Sequence, residues 1–155
     1  MQNRNRKLGK RAPKSEYENK IIDIARTARV VAGGRRFSFR VAIVVGNKKG
    51  EVGVGIGKSS DTPTAIEKAL NKAKKNMIKP KLTKELSIPR ETEAKFTSAK
   101  VLMRPSRGHG LVAGSAVRTV LELAGIKGVN AKIISRSKNK LNIAKAAIKA
   151  LEKLK

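Results

Sequence analysis

Residues 37–58 decide the fold, and their sequence is FSFRVAIVVGNKKGEVGVGIGK. Apolar side chains occupy every second position from Phe37 to Val45, and the alternation resumes at Val52 after a polar break. A period of two is the side-chain repeat of a β-strand, and the segment GNKKG at 46–50 is typical of a hairpin connection. The stretch therefore predicts two antiparallel strands whose register follows from the apolar pattern.

Glycine occupies three alternate positions on the other face of the second strand, at Gly53, Gly55 and Gly57. Glycine weakens a strand, and inside one it usually marks the close approach of another backbone. Two occupants fit this bare face, a tightly packed helix and the backbone of an RNA. The sequence favours the helix and leaves the RNA open.

The segment that follows predicts a helix that has Thr62 as its N-cap and Pro63 at its first position, and that stops before Pro80. At about 100° per residue its apolar face comprises Ile66, Ala69, Leu70, Ala73 and Met77. The opposite face carries Lys68, Lys72, Lys75 and Lys79. Such a stripe is ordinarily solvated, but its like charges repel one another at this spacing, and nearby phosphate would relieve the repulsion. Both interpretations remain open.

The second half of the chain predicts a strand–helix–strand–helix unit, with strands at 100–103 and 129–134, a helix near 115–124 and a helix that ends the chain. Gly125 is placed to end the first helix in a left-handed conformation. Prolines and mixed charge predict a connection with a short strand near 85–88. We therefore predict an α+β protein with a basic disordered arm (1–16), an N-terminal domain (17–84), a connection (85–98) and a C-terminal α+β domain (99–155).

Charge identifies the class of partner. The 155 residues contain 37 Lys and Arg against 11 Asp and Glu, a formal net charge of +26. Such an excess repels itself in the free protein, whereas a phosphate backbone turns it into attraction and releases counterions. No pattern of a signal peptide, membrane span or membrane-anchoring helix accompanies the charge. The absence of cysteine excludes disulfides and favours a reducing cytoplasm.

Within the first 14 residues, six cations predict a phosphate-binding extension, with a solubilising tail as the alternative.

Motifs for catalysis are incomplete. The segment Gly55–Ser59 ends like a Walker A loop, but the first glycine of that motif would fall on Val52. His109 and Ser106 lack a nearby acid that could complete a nucleophilic site. The carboxylates are scattered without the spacing of a metal site or an acid–base pair. We predict no enzyme activity, no metal and no cofactor.

Two loops that combine arginine with glycine are the best candidate sites. Glycine permits unusual dihedrals, and guanidinium groups hold phosphate oxygens through paired hydrogen bonds. The first loop contains Arg26, Arg29, Gly33, Gly34, Arg35 and Arg36, with a solvated turn as the alternative. The second contains Arg104, Arg107 and His109 and leads to a helix start whose free amides favour anions. The remaining predicted RNA contacts are Lys58, Lys68, Lys72, Arg136 and Lys138.

Three ordered motifs carry a family resemblance: GGRRFSF at 33–39, VGVGIGK at 52–58, and AG, AVR and VLE between 113 and 122. From about Tyr17 to the C-terminus, the chain resembles the universal small-subunit ribosomal protein five family in its bacterial form. Ala32, Gly114–Ser115 and the basic segment Ser135–Lys140 depart from the usual pattern, and the loop after Pro105 is one residue shorter.

The resemblance implies an N-terminal domain like a double-stranded-RNA-binding domain, and a second small α+β domain with a left-handed strand–helix–strand crossover, against the usual hand. It implies that the loop from Arg29 to Arg36 reaches rRNA of the small-subunit head near the decoding region. It further implies that the second domain contacts small-subunit protein four, at an interface tied to decoding accuracy, and also protein eight. With proteins three and four, the protein would line the messenger entry channel.

The resulting hypothesis is a structural constituent of the cytoplasmic small ribosomal subunit. Its predicted partners are small-subunit rRNA, messenger RNA and ribosomal proteins four and eight, with no membrane partner and no homo-oligomer. A free-standing RNA chaperone or regulator of similar fold is the alternative.

Overall fold

Two four-stranded sheets and three helices make up the computed structural model, which describes residues 16–106 and 108–154. The first sheet has the order β1-β2-β3-β4 and is antiparallel throughout. Its elements are β1 (Glu18–Val31), β2 (Gly34–Gly46), β3 (Val52–Ser59), α1 (Thr62–Lys75) and β4 (Met77–Ile78). The predicted N-terminal sheet with one helix is confirmed. Of the predicted basic arm, residues 1–15 lie outside the described part of the chain.

The second sheet has the order β5-β6-β8-β7 and carries the other two helices. Its elements are β5 (Thr92–Phe96), β6 (Ala99–Pro105), β7 (Leu111–Val112), α2 (Ser115–Ala124), β8 (Val129–Ile133) and α3 (Lys140–Glu152). β7 and β8 run parallel and are joined through α2, so a strand–helix–strand crossover is present. The two-domain α+β class is confirmed, and none of the described helices is long and apolar enough to cross a bilayer.

From Val41 to Val45, strand β2 is buried on both faces, which explains the continuous apolar sequence of that part. Val41, Ile43 and Val45 pack with the alanines of α1. Val44 points the other way, into a larger core shared with the second sheet, α2 and α3. The first sheet is therefore a layer between α1 and the C-terminal half of the protein.

The three strand glycines lie directly beneath α1. A Cβ atom added to Gly55 or Gly57 would stand less than 3.0 Å from the carbonyl oxygen of Ala69 or Ala65, closer than real Cβ atoms approach. The packed helix is thus the occupant of this face, and the RNA alternative is excluded there. Because Lys58 lies in β3 rather than in a loop, this segment also lacks the geometry of a Walker A site.

Two details of α1 differ from the prediction. Asp61 is the N-cap residue, with extended backbone angles, and Thr62 is already the first helical residue. Proline is compatible with any position of the first turn, since those amides lack intrahelical acceptors, so Pro63 did not define the start to one residue. The helix ends at Lys75, and Lys79 lies beyond β4, where its Nζ is 3.7 Å from Glu51 Oε1.

The connection between the sheets also differs from its prediction. Residues 92–96 form a fifth strand paired with β6, whereas the predicted strand at 85–88 is reduced to one bridge between Ser87 and Gly128. β5 has the period of a strand, because buried Thr92 and Ala94 alternate with exposed Glu93 and Lys95. Phe96 faces inward as well, but the other two inward residues are small or polar, so the alternation was weak in the sequence. The crossover helix, by contrast, has the predicted bounds, and Gly125 ends it at φ +79°.

The turn between β2 and β3 packs on the C-terminal end of α2 and so joins the N-terminal half of the protein to the C-terminal half. Backbone N–H groups of Lys48 and Gly50 donate to the carbonyl oxygens of Leu123 (2.9 Å) and Ala124 (3.0 Å). These carbonyls have no acceptor role inside the helix, so the first sheet provides their partners. At Gly46 an added Cβ would overlap Leu123 backbone atoms, which explains the glycine.

An ion-pair cluster borders the same junction. Glu122 on α2 accepts from Arg118 Nε at 2.9 Å and lies 3.6 Å from Lys20 Nζ on β1. The Arg118 hydrogen bond lowers the pKa of Glu122 below its ordinary value. Burial opposes this shift, and attraction from Lys20 and Arg118 adds to it.

We expect Gly55→Ala to lower the free energy of unfolding by about 1–3 kcal/mol, because the new methyl group would force α1 away from β3. Urea denaturation measures this loss. Gly33→Ala is the matched control, since a Cβ there meets nothing within 4 Å and the residue is not in the left-handed region. Equal losses in the two variants would contradict the packing account.

We expect Glu122→Gln to lower stability at neutral pH by at most about 1 kcal/mol, the usual limit for exposed ion pairs. A folded-state pKa below the unfolded value stabilises the fold above the unfolded pKa, and this stabilisation is lost as pH falls through the folded pKa. Urea unfolding across a pH series should therefore show a difference at pH 7 that disappears in acid. Glu67→Gln, at an exposed site on α1, is the control and should show no such dependence.

Candidate nucleic-acid interface

The ends of β1 and β2 extend beyond the rest of the first sheet. These strands pair as far as Val31 and Gly34, whereas β3 ends at Ser59, opposite Phe39. Past Phe39 the structure is a two-stranded ribbon that projects roughly 15–20 Å, given the rise per strand residue. We call residues 24–40 the arginine hairpin, because they include five arginines and no acidic residue.

Alternation along the strands gives the arginine hairpin two faces. On β2, Phe37 shares the side of Val41, which packs against α1, and the register adds Arg26 and Val30 of β1 to that side. This is the helix-side face. The other side, continuous with Val44, is the domain-side face, and its charged members are Arg29, Arg36, Arg40 and the adjoining Lys58 of β3.

Like charges oppose each other on the domain-side face. Arg29 is the direct cross-strand partner of Arg36, and Arg40 is the partner of Lys58. Directly opposed like charges destabilise a strand pair. Asp23 approaches Arg40 with an Oδ2–Nη2 distance of 3.6 Å and offsets part of the second repulsion. Arg29 and Arg36 form no ion pair within the described chain, so this face is suited to an external anion.

The helix-side face combines cations with exposed apolar groups. The guanidinium carbon of Arg26 lies 4.3 Å from the ring centroid of Phe37, a cation–π contact. Phe37 is nevertheless 48% exposed, and Val30 is 76% exposed. At the tip, Gly34 has φ +118°, a conformation that requires glycine, and open space surrounds Gly33.

The predicted lysines of α1 lie on the helix side of the sheet. Lys68 Nζ is 3.5 Å from Ser59 Oγ, and Ser59 pairs with Phe39 at the base of the arginine hairpin. Lys72 follows one turn later and is exposed. The cationic helix surface thus continues onto the helix-side face of the hairpin.

The remaining predicted residues belong to the second sheet. Arg104 on β6 has its Nε 3.0 Å from Glu91 Oε2, so an acidic residue already neutralises it. His109 is exposed between Gly108 and Gly110, both with positive φ, and Arg107 lies outside the described residues. Arg136 and Lys138 are exposed in the loop before α3, which is held where Ser135 Oγ accepts from the Lys100 N–H at 3.1 Å.

Sequence reasoning missed a second aromatic–cation cluster. Lys145 and Lys149 of α3 place their Nζ atoms 4.9 Å and 5.2 Å from the ring centroid of Phe96. The lysine spacing was visible as an outward stripe, but Phe96 fell in a predicted connection, so the pairing had no signal. The Arg26–Phe37 pair did have one, because alternation around a turn at 32–33 places both residues on one face. No group of three potential metal-ligating side chains occurs within 16–106 and 108–154.

Comparison with known proteins decides the family. The family model described as "Ribosomal protein S5, N-terminal domain" matches residues 17–79, and "Ribosomal protein S5, C-terminal domain" matches 94–155. The chain belongs to the ribosomal protein S5 family. "Small ribosomal subunit protein uS5c" of Rhodomonas salina is 44% identical over 100% of this chain and 92% of the relative. The uS5 proteins of Synechococcus elongatus (46% identity, 91% of this chain, 78% of the relative) and Nostoc punctiforme (48%, 94% and 85%) are similarly close.

Membership of the S5 family confirms several predictions. The chain is a structural component of the small ribosomal subunit, associates with the ribosome and its rRNA, and is not an enzyme. The two family models also divide the chain where the two sheets divide it. The interpretation as a free-standing RNA regulator is set aside.

We expect Arg36→Gln to stabilise the free protein at low salt by about 0.2–1 kcal/mol, because it removes a directly opposed like-charge pair. Thermal or urea unfolding measures the gain, which should shrink at high salt as the repulsion is screened. Arg35→Gln loses the same charge but lies opposite Val30, so it is the matched control. A gain of equal size in the control would show that general charge reduction, and not the cross-strand pair, is responsible.

Proposed function

We propose that the protein is held in the small ribosomal subunit chiefly by the arginine hairpin, which inserts into folded small-subunit rRNA. The observation that carries this proposal is the opposed pair Arg29 and Arg36 on a projecting ribbon free of acidic residues. Folding places these two arginines directly opposite each other at a cost, and a phosphate group bound by both converts repulsion into paired hydrogen bonds.

The tip and the neighbouring cations extend this surface. Gly33 and Gly34 allow RNA backbone to approach the turn, because neither has a side chain and a Cβ at either would meet nothing within 4 Å. Lys58 continues the domain-side face, and Lys68 and Lys72 continue the helix side. We assign these residues to phosphate contacts that position the protein, with the shape of the folded RNA providing most of the fit.

A second RNA contact is assigned to the loops of the C-terminal sheet. Gly108 and Gly110 hold the segment around His109 in an open, exposed turn that leads towards α2. Arg136 and Lys138 precede α3 in a loop anchored by hydrogen bonds. We include Arg107 and Arg104 here, although the ion pair with Glu91 makes Arg104 the weaker contributor.

The C-terminal half also provides a surface suited to protein neighbours. An open cleft of about 660 Å³ is lined by Leu86, Leu111 and Ile126 and bordered by the Arg118–Glu122 pair. Apolar lining with a charged rim is the usual anatomy of a protein interface. Together with the family resemblance, this supports contact with small-subunit proteins four and eight and a place beside the messenger entry channel.

The hairpin assignment is tested by salt-dependent binding to purified small-subunit rRNA. We expect the double variant Arg29→Gln, Arg36→Gln to bind more weakly and to lower the slope of log affinity against log salt by about two units, roughly one for each lost phosphate contact. Lys81→Gln with Lys84→Gln removes the same charge from exposed residues between β4 and β5 and should change the slope less. Identical slopes in the two double variants would show that only net charge matters.

A further inference from the structure

The helix-side face of the arginine hairpin exposes more apolar surface than phosphate binding requires. Beyond the end of β3, Val30 and Phe37 on this face are 76% and 48% exposed, and Ile24, opposite Val41 in the three-stranded part of the sheet, is 49% exposed. The chain contains three Phe and no Trp, yet two of those Phe, at positions 37 and 39, lie on this ribbon. Contiguous exposed apolar groups usually mark a binding surface.

No other part of the described chain covers this strip. β3 ends at Ser59 opposite Phe39, and the chain then turns into α1, which packs on the glycine positions of β3 further back along the sheet. The ribbon past Phe39 therefore has neither a third strand nor a helix over it. A bound partner is what can bury these side chains.

Arg26 prepares the Phe37 ring for stacking. Its guanidinium lies 4.3 Å from the ring centroid, so one side of the ring is covered by a planar cation and the ring orientation is restricted before binding. Half of the side chain remains accessible. Aromatic rings and arginine planes are the groups on which proteins stack unpaired RNA bases, and a preformed pair reduces the entropy lost on binding.

Charge decides between a base and a protein as the occupant. The hairpin carries five arginines, distributed over both faces and the tip, with no acidic residue among them. Protein interfaces also favour arginine and aromatic residues, but five cations without one acidic residue would need a protein partner that is strongly acidic over the whole ribbon. Single-stranded RNA meets this demand with its phosphates, and its binding sites combine cations along the backbone with aromatic rings under the bases.

We propose that Phe37, held by Arg26, is a stacking platform for an unpaired base of small-subunit rRNA, while Arg29 and Arg36 on the opposite face bind phosphate. The inference rests on the proposed rRNA-binding role of the hairpin and adds a chemical division between its faces. The domain-side contacts are ionic and depend on salt. The helix-side contact depends on the π-surface of one residue.

Three substitutions at Phe37 test this division, with binding to purified small-subunit rRNA measured across a salt series. Phe37→Ala should weaken binding by between about 5-fold and about 150-fold, the range found for loss of one base–aromatic stack, without changing the salt slope. Phe37→Tyr should retain the affinity, because its ring is kept. Phe37→Leu keeps apolar bulk without a π-face and should lose most of what Ala loses. If the Ala variant does not fold, the Leu and Tyr pair carries the test.

A blunt RNA duplex of about 16 base pairs, the span of a double-stranded-RNA-binding domain, is the control ligand. It offers no unpaired base, so all three Phe37 variants should bind it like the natural protein. Leu binding rRNA as well as Phe, or equal losses on rRNA and duplex, would overturn the stacking proposal. So would a Phe37→Ala variant that binds free rRNA normally but fails to join assembling subunits, because a protein neighbour would then occupy the face. These results are separable from the proposed function, which fails if the Arg29 and Arg36 double variant keeps its salt slope or loses no more of it than the Lys81 and Lys84 control.

Discussion

Contact between backbones, with no side chains between them, is the constraint on which this structure depends. α1 rests on the bare backbone of β3 at Gly53, Gly55 and Gly57, and the turn at 46–50 seats on the last carbonyl groups of α2. Both contacts involve the β2–β3 hairpin. One is on its helix-side face, and the other is at its turn. The β2–β3 hairpin is thus fixed to both halves of the molecule. The orientation of the arginine hairpin, which extends from β2, is therefore fixed as well.

That rigidity matters because the protein carries its charge at a cost. A net charge of +26 opposes compact folding, and the arginine hairpin adds a direct cross-strand repulsion at Arg29 and Arg36. Burial of aliphatic residues in the core offsets this repulsion, and the long pairing of β1 with β2 holds the arginine hairpin together. The free protein therefore carries two opposed arginines on a preformed ribbon, and in the proposed role RNA phosphate relieves the repulsion that folding alone leaves in place.

The sequence predicted the parts of this fold in which the apolar repeat agrees with the residues that end helices and form turns. The β2–β3 hairpin, α2 with Gly125, and the position of the Gly-Gly turn all combine an apolar repeat with a residue that has one conformational role. β5 was not predicted because two of its three inward side chains, those of Thr92 and Ala94, are too small or polar to form a visible apolar repeat with Phe96. The capping of α2 by Lys48 and Gly50 could not be predicted, since it depends on how two distant segments meet.

The candidate interface shows the same division between local and tertiary information. Its arginines and glycines were evident as composition, but composition does not say which side chains share a face. The strand register does determine which side chains share a face. It places Arg29 and Arg36 on the domain-side face of the arginine hairpin, and Arg26 and Phe37 on its helix-side face. With phosphate bound on one face and a base stacked on the other, as proposed above, the ribbon contacts two RNA segments by different chemistry. Charge then accounts for how strongly such a protein binds, and the arrangement of the two faces accounts for the orientation in which it binds.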